Sequence, residues 1–80
     1  MTTQTNRSGL DNTNYDLVHA LTVRAAAAWH ERSYEREAIC EDCVAIFDRL
    51  REMDQDAAEM LSAELAKHVR QNKFPIDLTD

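Results

Sequence analysis

The chain is poor in the residues that make turns, with one glycine and one proline among 80. Sandwiches and barrels of β-strands need turn chemistry at each reversal, so these counts exclude them. Two cysteines are too few for the disulfide framework of a small secreted scaffold. No apolar run approaches the roughly 18 residues of a membrane span. Bases are scarce as well, nine against fifteen acids, for a formal net charge of −6. Sequence-independent nucleic-acid binding needs clustered Lys and Arg, so neither nucleic acid nor membrane is expected as a partner. The segment MTTQTNRSGLDNTN has no charged stretch leading into an apolar one and does not read as a signal peptide; the expected compartment is cytoplasmic.

What is present is helix-compatible sequence. From Asn14 to Lys73 there is neither Gly nor Pro, and Ala, Leu, Glu, Arg and Met dominate. Residues 1–12 are polar and aperiodic and read as a disordered leader. Thr13 with Asp16 three residues on resembles a capping box. At the far end Lys67, His68 and Arg70 complement a helix dipole, Asn72 suits the left-handed region, and Pro75 stops the helix. Leu17, Val18, Leu21, Ala25, Ala28 and Trp29 form an apolar stripe. It dissolves into the charged stretch HERSYERE and restarts at Cys43, Val44, Ile46, Phe47 and Leu50. The break in phase predicts a reversal, with helix 1 at about 14–37, helix 2 at about 42–72, Asp42 as the second N-cap and 74–80 as a tail. The alternative is one continuous helix.

Eleven of the apolar residues are alanine, so the supply of large core side chains is thin. A chain of this size buries too little surface to be comfortably stable alone. The expected fold is all-α: a two-helix antiparallel hairpin that dimerises into a four-helix bundle.

On helix 2, Phe47, Leu50, Ala57, Leu61, Leu65 and Val69 share one face, and Asp54 falls in its middle. A carboxylate there must be paired, protonated or metal-bound. It either pairs with Arg24 or Arg32 of the facing helix, belongs to a carboxylate metal site, or sits on the flank of the stripe. Cys40 and Cys43, three apart with Glu41 and Asp42 between, are open to three roles. They are core filler and turn residue, soft-metal ligands completed across a dimer, or a redox or intermolecular disulfide pair. The intervening acids disfavour the thiolate. The run Ala25–Ala28 followed by Trp29 reads as tight packing closed by an aromatic plug, with a cofactor cavity over the alanines as the alternative. His68 reads as a bundle-end histidine and His19 as solvated. No phosphate loop or nucleophile elbow occurs. The tail residues Phe74, Ile76 and Leu78 either fold over the bundle end or dock into a protein partner.

The segment EMDQDAAEML, residues 52–61, resembles the second helix of ferritin-like and rubrerythrin-like proteins, and Trp29, Glu31 and Tyr34 are similar to the first helix of short, encapsulated-ferritin-type hairpins. That resemblance implies two-helix protomers that dimerise around a shared iron site. The family's Glu-x-x-His becomes Asp54 and Ala57 here, or Met53 and Asp56 in the next register, and Ala27 stands seven before Tyr34. The implied metal site is therefore degenerate. Its candidate ligands are Glu31, Asp54, Cys40 and Cys43, for iron or zinc. The leading expectation is a self-associating binding or structural module without catalysis. The others are a metal-binding, oxidoreductase-like hairpin and a regulatory adaptor that completes a bundle with a larger protein.

Overall fold

The computed structural model describes residues 9–75. They form two helices, α1 (Asn12–Glu37) and α2 (Glu41–Arg70), and no strands. The expected leader falls mostly in residues 1–8, and Ile76 and Leu78 of the tail also lie outside the described residues.

Helix α1 starts two residues before the expected position. Its N-cap is Asp11, whose carboxylate accepts the Asn14 amide at 2.8 Å, so the Thr13–Asp16 capping box does not form. Three cap-forming residues stand in a row here (Asp11, Asn12, Thr13), and the outermost serves. It does so because Asn14 is drawn inward: its side chain is 1% exposed and belongs to the contact between the helices.

The reversal takes only Ala38, Ile39 and Cys40. Ala38 (φ −67°, ψ 140°) and Cys40 (φ −142°, ψ 155°) are extended. Neither requires the positive φ that glycine serves, so a turn without glycine is unstrained. The N-cap of α2 is Cys40, two residues before the expected Asp42. Its sulfur accepts the Cys43 amide at 3.2 Å, and Glu41 and Asp42 occupy the first turn, where acids complement the dipole. At the other end Asn72 takes φ 60°. Its amide donates to the Val69 carbonyl at 3.2 Å and that of Lys73 to His68 at 2.7 Å. This pair of bonds is a Schellman closure, the exit expected of Asn72.

The helices lie side by side. Asn14 near the start of α1 meets His68 near the end of α2, Arg24 meets Asp54, and Tyr34 meets Phe47 beside the turn. The inner row of α1 runs Asn14, Leu17, Leu21, Ala28, Glu31, Glu35. That of α2 runs Phe47, Arg51, Asp54, Ala58, Leu61, Leu65, His68. All of these are buried or half-buried. Both rows alternate steps of three and four, as a packed helix pair requires, with one omission at Arg24. The inner row of α2 is rotated from the expected stripe: Leu50 and Val69 are 39% and 61% exposed, and Arg51 and His68 take their places. Trp29 is 66% exposed and does not plug the seam.

Among the described residues, Ala28, 7% exposed, is the one buried hydrophobic residue. The long axis of the molecule is 53 Å against 23 and 19 Å, and the radius of gyration is 16.8 Å. A compact chain of this length has about 12 Å. A rod this thin has no interior, and polar contacts carry what apolar burial does not. At one end Asn14 donates to the Asp11 carboxylate (3.1 Å) and to the Lys73 carbonyl (2.8 Å), and its oxygen faces His68 Nδ1 at 2.6 Å. Replacing Asn14 by Ala strands the Lys73 carbonyl and the His68 ring nitrogen. We expect the variant to lose about 1–3 kcal/mol, read from the urea midpoint of the far-UV signal. An unchanged midpoint would show that this end frays without cost.

Candidate functional site

Half-way along the pair, three charged groups meet. Arg24 and Glu31 stand two turns apart on α1, on one face, and Asp54 projects between them from α2. Arg24 Nη1 donates to Asp54 Oδ1 at 3.0 Å. Of the two guanidiniums expected to meet Asp54, Arg24 is the one that does. Asp54 and Glu31 are 7% and 8% exposed, the two buried carboxylates among the described residues. Burial pushes the Glu31 carboxyl above its ordinary value, and a hydrogen bond with Asp54 and that group's negative charge push it further; Arg51 opposes them. Glu31 Oε1 has no hydrogen-bond partner. A buried carboxylate oxygen without a donor favours the protonated form, which suffers least from the missing contact.

Arg51 extends the network toward the turn. Its guanidinium reaches Glu35 Oε1 of α1 at 3.6 Å and bonds Asp48 of its own helix. At the other end Glu64 Oε2 lies 3.1 Å from His68 Nε2, and Oε1 lies 3.1 Å from Lys67. Lys67, more than the neighbouring His68, holds the Glu64 carboxyl below its ordinary value. With Asn14 Nδ2 committed to two acceptors, Asn14 Oδ1 faces His68 Nδ1, so the ring spans both helices as expected of a bundle-end histidine.

Of the four candidate ligands, Glu31 and Asp54 come together and the cysteines do not join them. Cys40 and Cys43 are bonded to each other with Cα atoms 5.3 Å apart. Eleven residues of helix separate Cys43 from Asp54, about 16 Å along the axis. Among the described residues no group of three or more His, Cys, Asp and Glu side chains is arranged to hold a metal ion. Sequence reasoning passed over Asn14 and Arg51. Asn14 stands three before Leu17 and seven before Leu21, a spacing that places it on the inner row.

An open cleft of about 520 Å³ runs along one side of the pair, between Ala25, Ala28, Trp29 and Arg32 of α1 and Gln55, Ala58 and Glu59 of α2. The alanines leave this hollow, and Trp29 forms its exposed wall. No family model, curated protein or solved structure matches the chain. No helix among the described residues is long and apolar enough to cross a membrane.

The two shifted carboxyls predict opposite pH dependences. Glu31 binds its proton more tightly when folded than at the ordinary 4.5. Its contribution is fully present below that value and is lost as pH rises through the raised one. Glu31→Gln should therefore be more stable than the parent at neutral pH, with the difference shrinking toward pH 4. Glu64 behaves the other way: its contribution is present above 4.5 and is lost as pH falls through its lowered value. Urea titrations of the parent, Glu31→Gln and Glu64→Gln from pH 3 to pH 8 check both signs.

Proposed function

We propose that the chain is a small self-associating module, an antiparallel helical hairpin that pairs with a second copy to complete a four-helix bundle and serves as a binding or structural element rather than an enzyme. One observation carries this conclusion: α2 has a second apolar row, Ile46, Leu50, Met53, Ala57 and Met60, turned away from the seam. Ile46, Met53 and Met60 are 59%, 53% and 68% exposed. The steps are four, three, four and three, the repeat of a helix that packs against another helix. At about 100° per residue the row lies on the flank of α2 opposite Gln55 and Glu59, and hence on the opposite side from the cleft. Val23 and Tyr34 of α1, also exposed, share that flank.

Two helices about 39 and 45 Å long and about 10 Å apart present a face of the order of 800 Å², the usual share of one partner in a stable complex. Pairing through a two-fold axis sets the row against its own copy, so one apolar surface serves as both halves of the contact. The resemblance to short ferritin-like hairpins is consistent with the same arrangement. The expected mass by sedimentation equilibrium is that of two or more chains. The double variant Leu50→Glu, Met53→Glu should sediment as a monomer, whereas Trp29→Glu, on the cleft side, should not. A parent that is monomeric and lacks near-UV dichroism would indicate instead an adaptor that folds against a larger protein.

A specific observation favours metal binding as a second possibility. Glu31, four after Ala27 and three before Tyr34, lies toward the same flank, and its Oε1 is buried without a partner beside Asp54. In a two-fold bundle two such carboxylate pairs approach one another and become potential oxygen ligands for iron or zinc. Elemental analysis on protein of measured assembly mass separates the cases. The non-catalytic module contains no stoichiometric metal; one ion or more per dimer, lost in Asp54→Ala, would establish the metal site in its place.

A further inference from the structure

We infer that Cys40 and Cys43 form an exchange-active dithiol–disulfide pair, entered at Cys40 and selective for neutral or cationic low-molecular-weight thiols and disulfides over anionic ones. Four observations carry this. The two sulfurs are bonded across a Cα separation of 5.3 Å, well within the range a disulfide spans without backbone movement. They sit at the N-cap and in the first turn of α2, about 16 Å along the helix from the buried carboxylates, so opening the bond breaks none of the contacts between the helices. The two positions are unequal: Cys40 is exposed and follows Ile39, which is 98% exposed, whereas Cys43 is half-buried. Finally, the Cys43 amide donates to Cys40 Sγ at 3.2 Å, a hydrogen bond that opposes the effect of Glu41 and Asp42 by supporting negative charge on the more accessible sulfur.

The step balances as ordinary thiol–disulfide exchange. An incoming thiolate attacks Cys40 Sγ, the Cys40–Cys43 bond breaks, and its electron pair leaves on Cys43 Sγ, which takes up a proton. A second thiolate attacks the outer sulfur of the mixed disulfide and releases Cys40 as a thiolate, which takes up the second proton. Two external thiols become one external disulfide, and the protein gains two electrons and two protons. The reverse course oxidises the dithiol with a small disulfide as acceptor. Glu41 and Asp42, between the cysteines, and Glu37, just before the turn, are exposed acids near the entry point in sequence, against one base, Arg36. An anionic reagent is repelled there and a cationic one attracted, a difference that amounts to roughly tenfold for two carboxylates about 12 Å from the reagent's charge in water. This pair is independent of self-association, which uses the middle of α2.

The test uses the full chain, reduced and then mixed at low salt with cystamine, which is cationic, or oxidised glutathione, which is anionic. The reaction is quenched by alkylation and read by mass. The expected product is an intramolecular disulfide with the assembly mass unchanged. Cystamine should react about tenfold faster than glutathione disulfide, after each rate is divided by its rate with free cysteine. That gap should narrow at high salt and in Glu41→Gln, Asp42→Asn. Cys43→Ser should trap a mixed disulfide on Cys40, and Cys40→Ser should react more slowly at Cys43, with far-UV dichroism confirming that both variants keep their helices. Equal corrected rates at low salt, faster trapping at Cys43, or disulfides between chains would each overturn the inference.

Discussion

Two helices joined by a three-residue turn share a single seam, and every contact that holds them together must be made across it. In this chain nearly half of the seam is given to polar groups. Asn14, Glu31, Arg51, Asp54 and His68 occupy places where a self-sufficient helix pair would put leucine. Each of these groups must find its partner inside the seam, because a buried polar atom without one is costly. Their pairing fixes the register strongly: sliding one helix by a turn would separate Asn14 from His68 and Arg24 from Asp54 at once. It contributes far less net stability than apolar burial, since each hydrogen bond replaces one to water. The same composition that makes the pairing specific therefore leaves the pair thin, and the proposed pairing with a second copy draws on a surface outside it.

That surface is legible in the periodicity once the seam is known. Helix α2 carries two rows of heptad spacing, offset from each other by one residue, or about 100°, and from sequence they merge into one broad stripe. Leu50 and Ala57 belong to the outer row, whereas Phe47, Leu61 and Leu65 belong to the inner one. Only the position of α1 divides them. The exposure of Trp29 has a related cause. Its neighbours Ala25 and Ala28 straddle the edge of the seam, and a residue one step beyond Ala28 points about 100° away from it. Asp54 was legible because a charge amid apolar residues demands an explanation wherever the seam falls. The turn was legible as a break in phase but not as a conformation. Extended residues at Ala38 and Cys40 have no sequence signature comparable to glycine, and the capping role passed to a cysteine, which ranks poorly among N-caps.

The charge distribution separates two regions with different chemistry. The buried carboxylates lie in the middle of the seam, beside the flank that carries the outer row. Under the proposed pairing a second apolar face over that flank would deepen the burial of Glu31 and make its ionised form still less favourable. The sulfurs, by contrast, sit at the turn among exposed acids and beyond the apolar row.

The Schellman closure at Asn72 has a consequence beyond ending a helix. By folding the backbone back, it delivers the Lys73 carbonyl to Asn14, so the strand of chain leaving α2 is moored to the first turn of α1. Among the described residues the two poles are therefore tied differently: hydrogen bonds from Asn14 close the one, and the bonded cysteines stand at the other.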